Sequence, residues 1–204
     1  MFLSPTDEEL KILELYDGVV GIDEVGRGCL AGPVVVCGFL FLKNDEVIPN
    51  VNDSKRLTKK QRLAVSERVS DERFVISIRD AQQIDQKGIA NCIVECIYEI
   101  NDCFHKNFWP KKFSFLIDGV FKHKFNFDYE LVVKGDSKIY TIAVASNIAK
   151  VFRDKYMKEL SKSFLNYGWD RNVGYGTKSH ILSIRRFGLT VHHRLSFLKN
   201  VVDL

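Results

Sequence analysis

Four acidic residues stand where short apolar runs end or beside a glycine. Asp23 and Glu24 follow one such run, Asp118 follows another, and Asp136 comes directly after a glycine. Because functional groups in α/β sheets gather outside the ends of strands, acids that are distant in sequence can meet there at one point. Neighbouring carboxylates repel one another, and a bound divalent cation relieves that repulsion. A set of oxygen ligands without Cys or His predicts Mg²⁺ or Mn²⁺.

Each of these acids, taken alone, is also typical of a turn former or a solvated cap, and it is the coincidence of four that favours a site. Three further acids near the start of the chain, Asp7, Glu8 and Glu9, are interpreted instead as the beginning of a helix.

The segment Gly26-Arg27-Gly28 comes immediately after the first two acids. Glycines allow a backbone to approach a sugar or phosphate closely, and the arginine adds positive charge. The pattern alone also fits a tight connection between two strands. It does not have the spacing of a dinucleotide-binding loop, and an apolar strand rather than a helix follows it.

Cations and one aromatic residue extend the candidate site. Lys55 lies in a basic cluster that is able to hold phosphates, although a solvated helix face explains such a cluster equally well. Tyr175 lies between two glycines, which predicts exposure and stacking on a sugar or base, or else a plain turn tyrosine. For His180, His192 and His193, hydrogen bonds to phosphate or backbone are the preferred interpretation.

Composition limits the class of protein. The chain has 204 residues, 46% of them hydrophobic and 27% charged, as expected for one globular domain. Its net charge of +4 permits nucleic-acid binding without indicating it. No apolar run approaches the roughly 20 residues of a membrane span, and no secretory signal is recognisable, so we expect a cytoplasmic protein. Five cysteines without a CxxC pair argue against disulfides and zinc.

Periodicity predicts an α/β layer structure with a mixed sheet. The predicted strands are residues 19–23, 34–42, 74–78, 113–117 and 129–133, and the predicted helices are residues 58–69, 84–104, 141–164 and 177–187. Thr58 and Thr177 are the expected N-caps of two of these helices, and Gly188 is expected to end the last one.

Seven segments together resemble the type 2 ribonucleases H, and specifically ribonuclease HII. They are GIDEVGRGCLAGPVV at 21–35, NDSKRL at 52–57, IDG at 117–119, KGD at 134–136, ASNIAKVFRD at 145–154, GYGT at 174–177 and HR at 193–194. The resemblance implies an RNase H-like fold, a central mixed β-sheet flanked by helices. It divides the chain into a catalytic domain, residues 1–160, and a C-terminal helical extension, residues 161–204, which grips the duplex within the same compact unit.

The resemblance also implies roles for individual residues. It assigns the catalytic and metal-binding acids to Asp23, Glu24, Asp118 and Asp136, with two divalent ions in the substrate complex. It assigns substrate binding to Gly26, Arg27 and Gly28, which match the loop that senses the ribose 2′-hydroxyl, to Lys55, and to Tyr175, which stacks beside the cleavage junction. Secondary roles fall to Asp154, Ser146, His193 and Arg194.

The implied activity is hydrolysis of the RNA strand of RNA–DNA hybrids, and cleavage 5′ to ribonucleotides embedded in duplex DNA, leaving 5′-phosphate and 3′-hydroxyl ends. The short segment before the first predicted strand, together with Tyr175, favours ribonuclease HII over ribonuclease HIII. The sequence departs from the family pattern at Val25 and Cys29, where alanine and proline are expected, and lacks a histidine in residues 169–173. These departures bear on substrate contacts rather than on the chemistry.

Two other functions remain open. One is a different nuclease of the same fold, such as a resolvase or integrase acting on DNA, although the glycine loop beside Asp23 disfavours it. The other is a hybrid-binding protein with an inactive site, which the presence of all four acids disfavours. We expect a monomer that does not bind membranes. Association with a replication clamp remains open, although residues 201–204 do not form a convincing clamp-binding peptide.

Overall fold

A five-stranded mixed sheet forms the centre of the protein in a computed structural model that describes residues 2–199. The strands are β1 (Gly18–Val25), β2 (Val34–Leu42), β3 (Phe74–Arg79), β4 (Phe113–Asp118) and β5 (Tyr129–Val132), in the spatial order β3-β2-β1-β4-β5. β1 and β2 pair antiparallel, as do β2 and β3, whereas β4 runs parallel to both β1 and β5. The predicted α/β fold with a mixed sheet is confirmed.

Eight α-helices accompany the sheet in the described part of the chain. They are α1 (Asp7–Leu15), α2 (Lys59–Ser66), α3 (Ala81–Lys87), α4 (Ile89–Asn107), α5 (Tyr140–Ser161), α6 (Trp169–Asn172), α7 (Lys178–Phe187) and α8 (Leu195–Leu198). Thr58 and Thr177 cap α2 and α7 through their side chains, and Gly188 follows the end of α7, as predicted. No helix within residues 2–199 is both long and apolar enough to cross a membrane.

The single helix predicted for residues 84–104 is wrong, because the chain forms two helices there, α3 and α4. Gly88 separates them with a φ of +79°, a conformation that L-residues with side chains rarely adopt. The apolar spacing continues across this break, so periodicity alone does not reveal it.

The sheet is buried on both faces. Alternate residues of β1 and β2 contact α5 on one face and α4 on the other, and each face forms its own hydrophobic cluster. Gly21 lies directly beneath the start of α5, where an added Cβ would stand 2.2 Å from the carbonyl carbon of Thr141. This close approach brings the first turns of α5 against the strand that carries Asp23.

The segment after α5 packs against the loop that joins β1 to β2. Trp169, Ile184 and Leu198 share a buried cluster with Leu30 and Ala31 of that loop. The C-terminal helices are therefore packed beside the glycine segment, while the division into residues 1–160 and 161–204 stays a prediction.

Candidate active site

The four predicted acids line one pocket of about 270 Å³. β1 and β4 are parallel neighbours in which Ile22 pairs with Ile117, so that Asp23 and Asp118 are the next residues along the two strands. Side chains two or four residues apart on a strand lie on the same face of the sheet. Asp23 therefore shares a face with Val19, and Asp118 shares a face with Leu116, and both apolar residues pack in the α5 cluster. Both carboxylates thus lie on the α5 side.

Asp23 is buried, with 6% of its surface exposed. Burial raises the pKa of its carboxyl well above the ordinary value, and the adjacent Glu24 and nearby Asp118 raise it further. A hydrogen bond with Ser146 acts in the opposite direction. Burial also raises the pKa of Glu24, although Arg27, whose Nη1 lies 3.0 Å from Oε1, partly offsets the shift.

Asp118 and Asp136 occupy the other side of the pocket. Asp136 lies in a 3₁₀ turn, Gly135–Ser137, and the amide of Gly135 donates to Oδ1 of Asp118 at 2.6 Å. Burial raises the pKa of Asp118, and Asp136 contributes to the rise by charge repulsion. Lys55 approaches from the loop before α2, and its Nζ lies 2.7 Å from Oδ2 of Asp136.

The chemistry of these donors fits a divalent cation bound through oxygen. The pKa values of three carboxyl groups, those of Asp23, Glu24 and Asp118, are raised chiefly by burial, so their charged forms lack solvation that a bound cation would replace. Within residues 2–199, however, no three Asp, Glu, His or Cys side chains are grouped closely enough to form a ready-made metal site. Arg27 and Lys55 are paired with two of the acids, so a cation must compete with these ion pairs.

The glycine loop borders the carboxylates. Gly26 has a φ of +91°, and an added Cβ there would lie 2.2 Å from Nε of Arg153. At Gly28, in contrast, an added Cβ would meet nothing within 4 Å. Packing therefore demands a glycine at position 26, whereas the glycine at position 28 leaves open space in the wall of the pocket.

Tyr175 lines the same pocket and is 42% exposed, in agreement with its predicted exposure. Gly174 precedes it with a φ of +86°, and an added Cβ would stand 2.2 Å from the carbonyl oxygen of Ala31. The tyrosine is thus placed by a backbone contact between the C-terminal segment and the glycine loop.

The residues predicted to have secondary roles occupy different places. Ser146 lines the pocket, but Asp154 lines a neighbouring groove and pairs with Lys150 at 2.7 Å. His193 and Arg194 are buried, with 2% and 0% exposure, and neither lines the carboxylate pocket. His193 contacts His180 and Thr190, and Arg194 contacts backbone carbonyls of the glycine loop.

The sequence analysis assigned no role in the site to three buried charged residues that shape it. Arg62 is 8% exposed and donates to the carbonyl oxygens of Ser54 and Leu57, next to Lys55. Arg153 is completely buried. Glu9, interpreted only as part of a helix start, is buried and accepts from the backbone amide of Thr141 at 2.8 Å, at the beginning of α5. Charged residues on helices are typically solvated, so residue type did not indicate that the three are buried, although Arg62 lies in the basic cluster and Arg153 in the family segment 145–154.

The sheet order, the covering helix α5 and the acids at neighbouring strand ends define a protein of the RNase H-like class. The sequence profile of the family described as Ribonuclease HII matches residues 20–200. Ribonuclease HII of Clostridium perfringens (strain 13 / Type A) is 40% identical over 207 aligned residues, which cover 96% of this chain and 75% of the relative. The chain belongs to the ribonuclease HII family.

Two solved structures share the fold. The ribonuclease H2 from Pyrococcus horikoshii OT3 has a TM-score of 0.69 at 21% identity, with coverage of 90% of this chain and 96% of that one. Bst-RNase HIII in complex with Mn²⁺ has a TM-score of 0.65 at 17% identity, with coverage of 96% and 73%. By its family, the chain is a ribonuclease H, a hydrolase, and metal binding is a general property of that family.

Proposed function

We propose that this ribonuclease H hydrolyses the RNA strand of RNA–DNA hybrids and also cuts 5′ to single ribonucleotides embedded in duplex DNA. The observation that carries the proposal is one pocket that joins four carboxylates to a glycine loop and an exposed tyrosine. The carboxylates suit metal-assisted phosphodiester hydrolysis, and the loop and the tyrosine suit recognition of a sugar and its base.

Asp23, Glu24, Asp118 and Asp136 are proposed to bind two Mg²⁺ or Mn²⁺ ions. When bound, the cations would supply activation of water and charge stabilisation at the leaving oxygen. The carboxylates hold these charges beside the scissile phosphate. Attack of water at phosphorus with cleavage of the P–O3′ bond leaves a 5′-phosphate on one product and a 3′-hydroxyl on the other. The side chain of Lys55 is 79% exposed, and we propose that it leaves its ion pair with Asp136 and binds a substrate phosphate instead.

The glycine loop and the C-terminal helices are proposed to select and hold the substrate. Gly26, Arg27 and Gly28 contact the 2′-hydroxyl, the group that distinguishes RNA from DNA, and Tyr175 stacks beside the junction. Residues 161–204 grip the duplex next to the catalytic domain, residues 1–160. The protein is proposed to act as a cytoplasmic monomer.

Residues 201–204, in which the sequence analysis looked for a clamp-binding peptide, lie outside the described residues.

Three duplexes of one sequence test the substrate class: one with a single ribonucleotide, one full RNA–DNA hybrid, and one of DNA only, each with Mg²⁺ or Mn²⁺. We expect cleavage of the first two, 5′ to the lone ribonucleotide in the first, and an intact DNA duplex. A four-way DNA junction serves as the substrate of the rival nuclease function. Cleavage of the junction or of plain DNA at a comparable rate would refute the proposal.

Asp118→Asn tests the chemistry. We expect the variant to lose cleavage with either metal while still binding the hybrid in a gel-shift assay, because the substitution removes a charge without removing bulk. Asp102→Asn is the matched control, since Asp102 is exposed on α4 and outside the pocket. Retention of activity in Asp118→Asn would contradict the assignment.

A further inference from the structure

Two arginines that lie beneath the glycine loop are completely buried. Arg153 of α5 and Arg194, just before α8, are both 0% exposed. Within residues 2–199 neither forms an ion pair with a carboxylate. A buried guanidinium without a counter-ion is costly, so the hydrogen bonds that it makes must offset the loss of water.

Both guanidinium groups donate to backbone carbonyls, and most of these belong to the loop between β1 and β2. Arg153 donates to the carbonyl oxygens of Pro33 at 2.9 Å, Ala31 at 3.2 Å and Val173 at 2.9 Å. Arg194 donates to those of Gly32 at 2.9 Å and Arg27 at 3.0 Å, and its backbone amide donates to that of Leu30 at 2.8 Å. The carbonyls of residues 27 and 30–33 are therefore all bound by the two arginines.

The amide groups of the loop have a different environment. The N–H groups of Arg27 and Gly28 have no hydrogen-bond partner within residues 2–199, and both residues line the carboxylate pocket. The arginines bind the carbonyls of the loop, and its unpaired N–H groups remain as donors that are available to an oxygen of the substrate.

Arg153 also connects the loop to Tyr175. Its Nη1 holds the carbonyl of Val173, and its guanidinium carbon lies 6.0 Å from the centre of the Tyr175 ring. The neighbouring carbonyl of Gly174 accepts from the amide of Leu30 at 2.8 Å. Arg153 and this backbone hydrogen bond together fix the separation between the loop amides and the tyrosine ring.

We propose that Arg153 and Arg194 are positioning residues for ribose recognition: they orient the amides of Arg27 and Gly28 and set their distance from Tyr175. The inference rests on the proposed function, because it explains how the pocket discriminates a ribonucleotide from a deoxyribonucleotide. Neither arginine touches the substrate in this arrangement, since both lie behind the loop.

Arg153→Lys and Arg194→Lys test the proposal. Lysine keeps the charge, but a single ammonium cannot hold carbonyls that a planar guanidinium holds on separate edges. The readout is the 2′ ratio: kcat/KM for a ribonucleotide-containing duplex divided by kcat/KM for the same duplex with a 2′-fluoro nucleotide at the cut. We expect this ratio to fall at least about tenfold in each variant, because the loss of one good contact has an effect of that size.

Arg79→Lys is the matched control. Arg79 is 8% exposed and pairs with Glu99 on α4, outside the carboxylate pocket, so its replacement perturbs a buried guanidinium without touching the loop. We expect lower thermal stability with an unchanged 2′ ratio. An unchanged ratio in folded Arg153→Lys and Arg194→Lys would overturn the proposal.

A second measurement does not require either lysine variant to fold. In Asp118→Asn with Mg²⁺, the arginine Nε–H signals in ¹⁵N NMR report on the guanidinium groups while the duplex stays uncut. We expect the Nε–H signals of Arg153 and Arg194 to exchange slowly with water and to shift more with a ribonucleotide-containing duplex than with DNA. Rapid exchange, or equal shifts with both duplexes, would overturn the proposal.

The outcomes separate the two levels of inference. Failure of the wild-type protein to prefer a ribonucleotide refutes the proposed function itself. A wild-type preference that persists in both lysine variants leaves the proposed function intact and removes only the positioning role.

Discussion

Acidification from pH 7 to pH 5 is expected to destabilise this protein through a buried histidine pair. Trp169 Nε1–H donates to Nε2 of His180 at 3.0 Å, so the proton of His180 resides on Nδ1, which donates to the carbonyl of Tyr175 at 2.9 Å. The amide of Thr190 donates to Nδ1 of His193 at 3.0 Å, which places the proton of His193 on Nε2, 3.3 Å from Nε2 of His180. Both rings are therefore neutral in this network, and protonation of His193 would break it.

The magnitude follows from the pKa of His193. Burial lowers the pKa of His193 from 6.5 to about 4, and the adjacent His180 contributes to the shift. Because the folded-state pKa is depressed, the unfolded chain takes up the proton first, and stability is lost as the pH falls through 6.5 towards 4. At 1.36 kcal/mol per pKa unit, His193 costs about 2 kcal/mol of unfolding free energy by pH 5 and about 3 kcal/mol below pH 4.

Urea unfolding followed by circular dichroism at pH 7 and pH 5 measures this loss. The wild-type protein should lose about 2 kcal/mol more than His193→Asn over this interval, because the variant cannot titrate at position 193. Comparison of the two proteins is essential, since Asp23, Glu24 and Asp118 have raised pKa values and their protonation in acid favours the folded state.

His123→Asn controls for removal of a histidine, because His123 is exposed on the surface. Fluorescence of the buried Trp169 in a Trp109→Phe background gives a second probe of the same transition, since Trp109 is 81% exposed. If wild type and His193→Asn lost equal stability between pH 7 and pH 5, the neutral histidine pair would be refuted.

Three further perturbations test the packing, the substrate contact and the cation site. Gly21→Ala should abolish folding or lower Tm by more than about 10 °C, the effect of a severe core clash, because its Cβ would meet the backbone of α5. Gly28→Ala should melt like the wild-type protein, and thermal melting followed by circular dichroism distinguishes the two variants. Lys55→Met should weaken duplex binding uniformly across sequences and reduce the slope of log Kd against log salt by about 1; an unchanged slope would exclude a phosphate contact. Mg²⁺ should raise the Tm of the wild-type protein, and a chelator should reverse the rise; the stabilisation is about 2.7 kcal/mol at a hundredfold excess of Mg²⁺ over Kd. The Tm of Asp118→Asn should respond less, and equal responses of the two proteins would argue against a cation bound at Asp118.

Much of the local structure was predictable because it depends on neighbours in sequence. The strands and most helices follow from hydrophobic period, and the caps at Thr58 and Thr177 follow from side chains that bond within three residues. The grouping of Asp23 with Asp118 was also predictable, since acids at the ends of parallel strands meet at one edge.

Placement within a single motif was less predictable. Ser146 and Asp154 belong to one segment of the family pattern, yet only Ser146 lines the pocket. Eight helical residues turn the second side chain by roughly 80° relative to the first, and Asp154 faces the neighbouring groove instead. The resemblance identified the segment, and the helix decided which of its residues reach the site.

The sequence by itself determined the strands, the acids at their ends and the glycine loop beside them, because each depends on local period or on residue type. Only the tertiary structure decided that Arg153 and Arg194 are buried, that Glu9 accepts from the first turn of α5, and that His193 is neutral. The partners of Arg153, for example, lie 120 and 122 residues away at Pro33 and Ala31. No local pattern encodes such a contact, since its stability comes from carbonyls that the folded chain alone brings to the guanidinium.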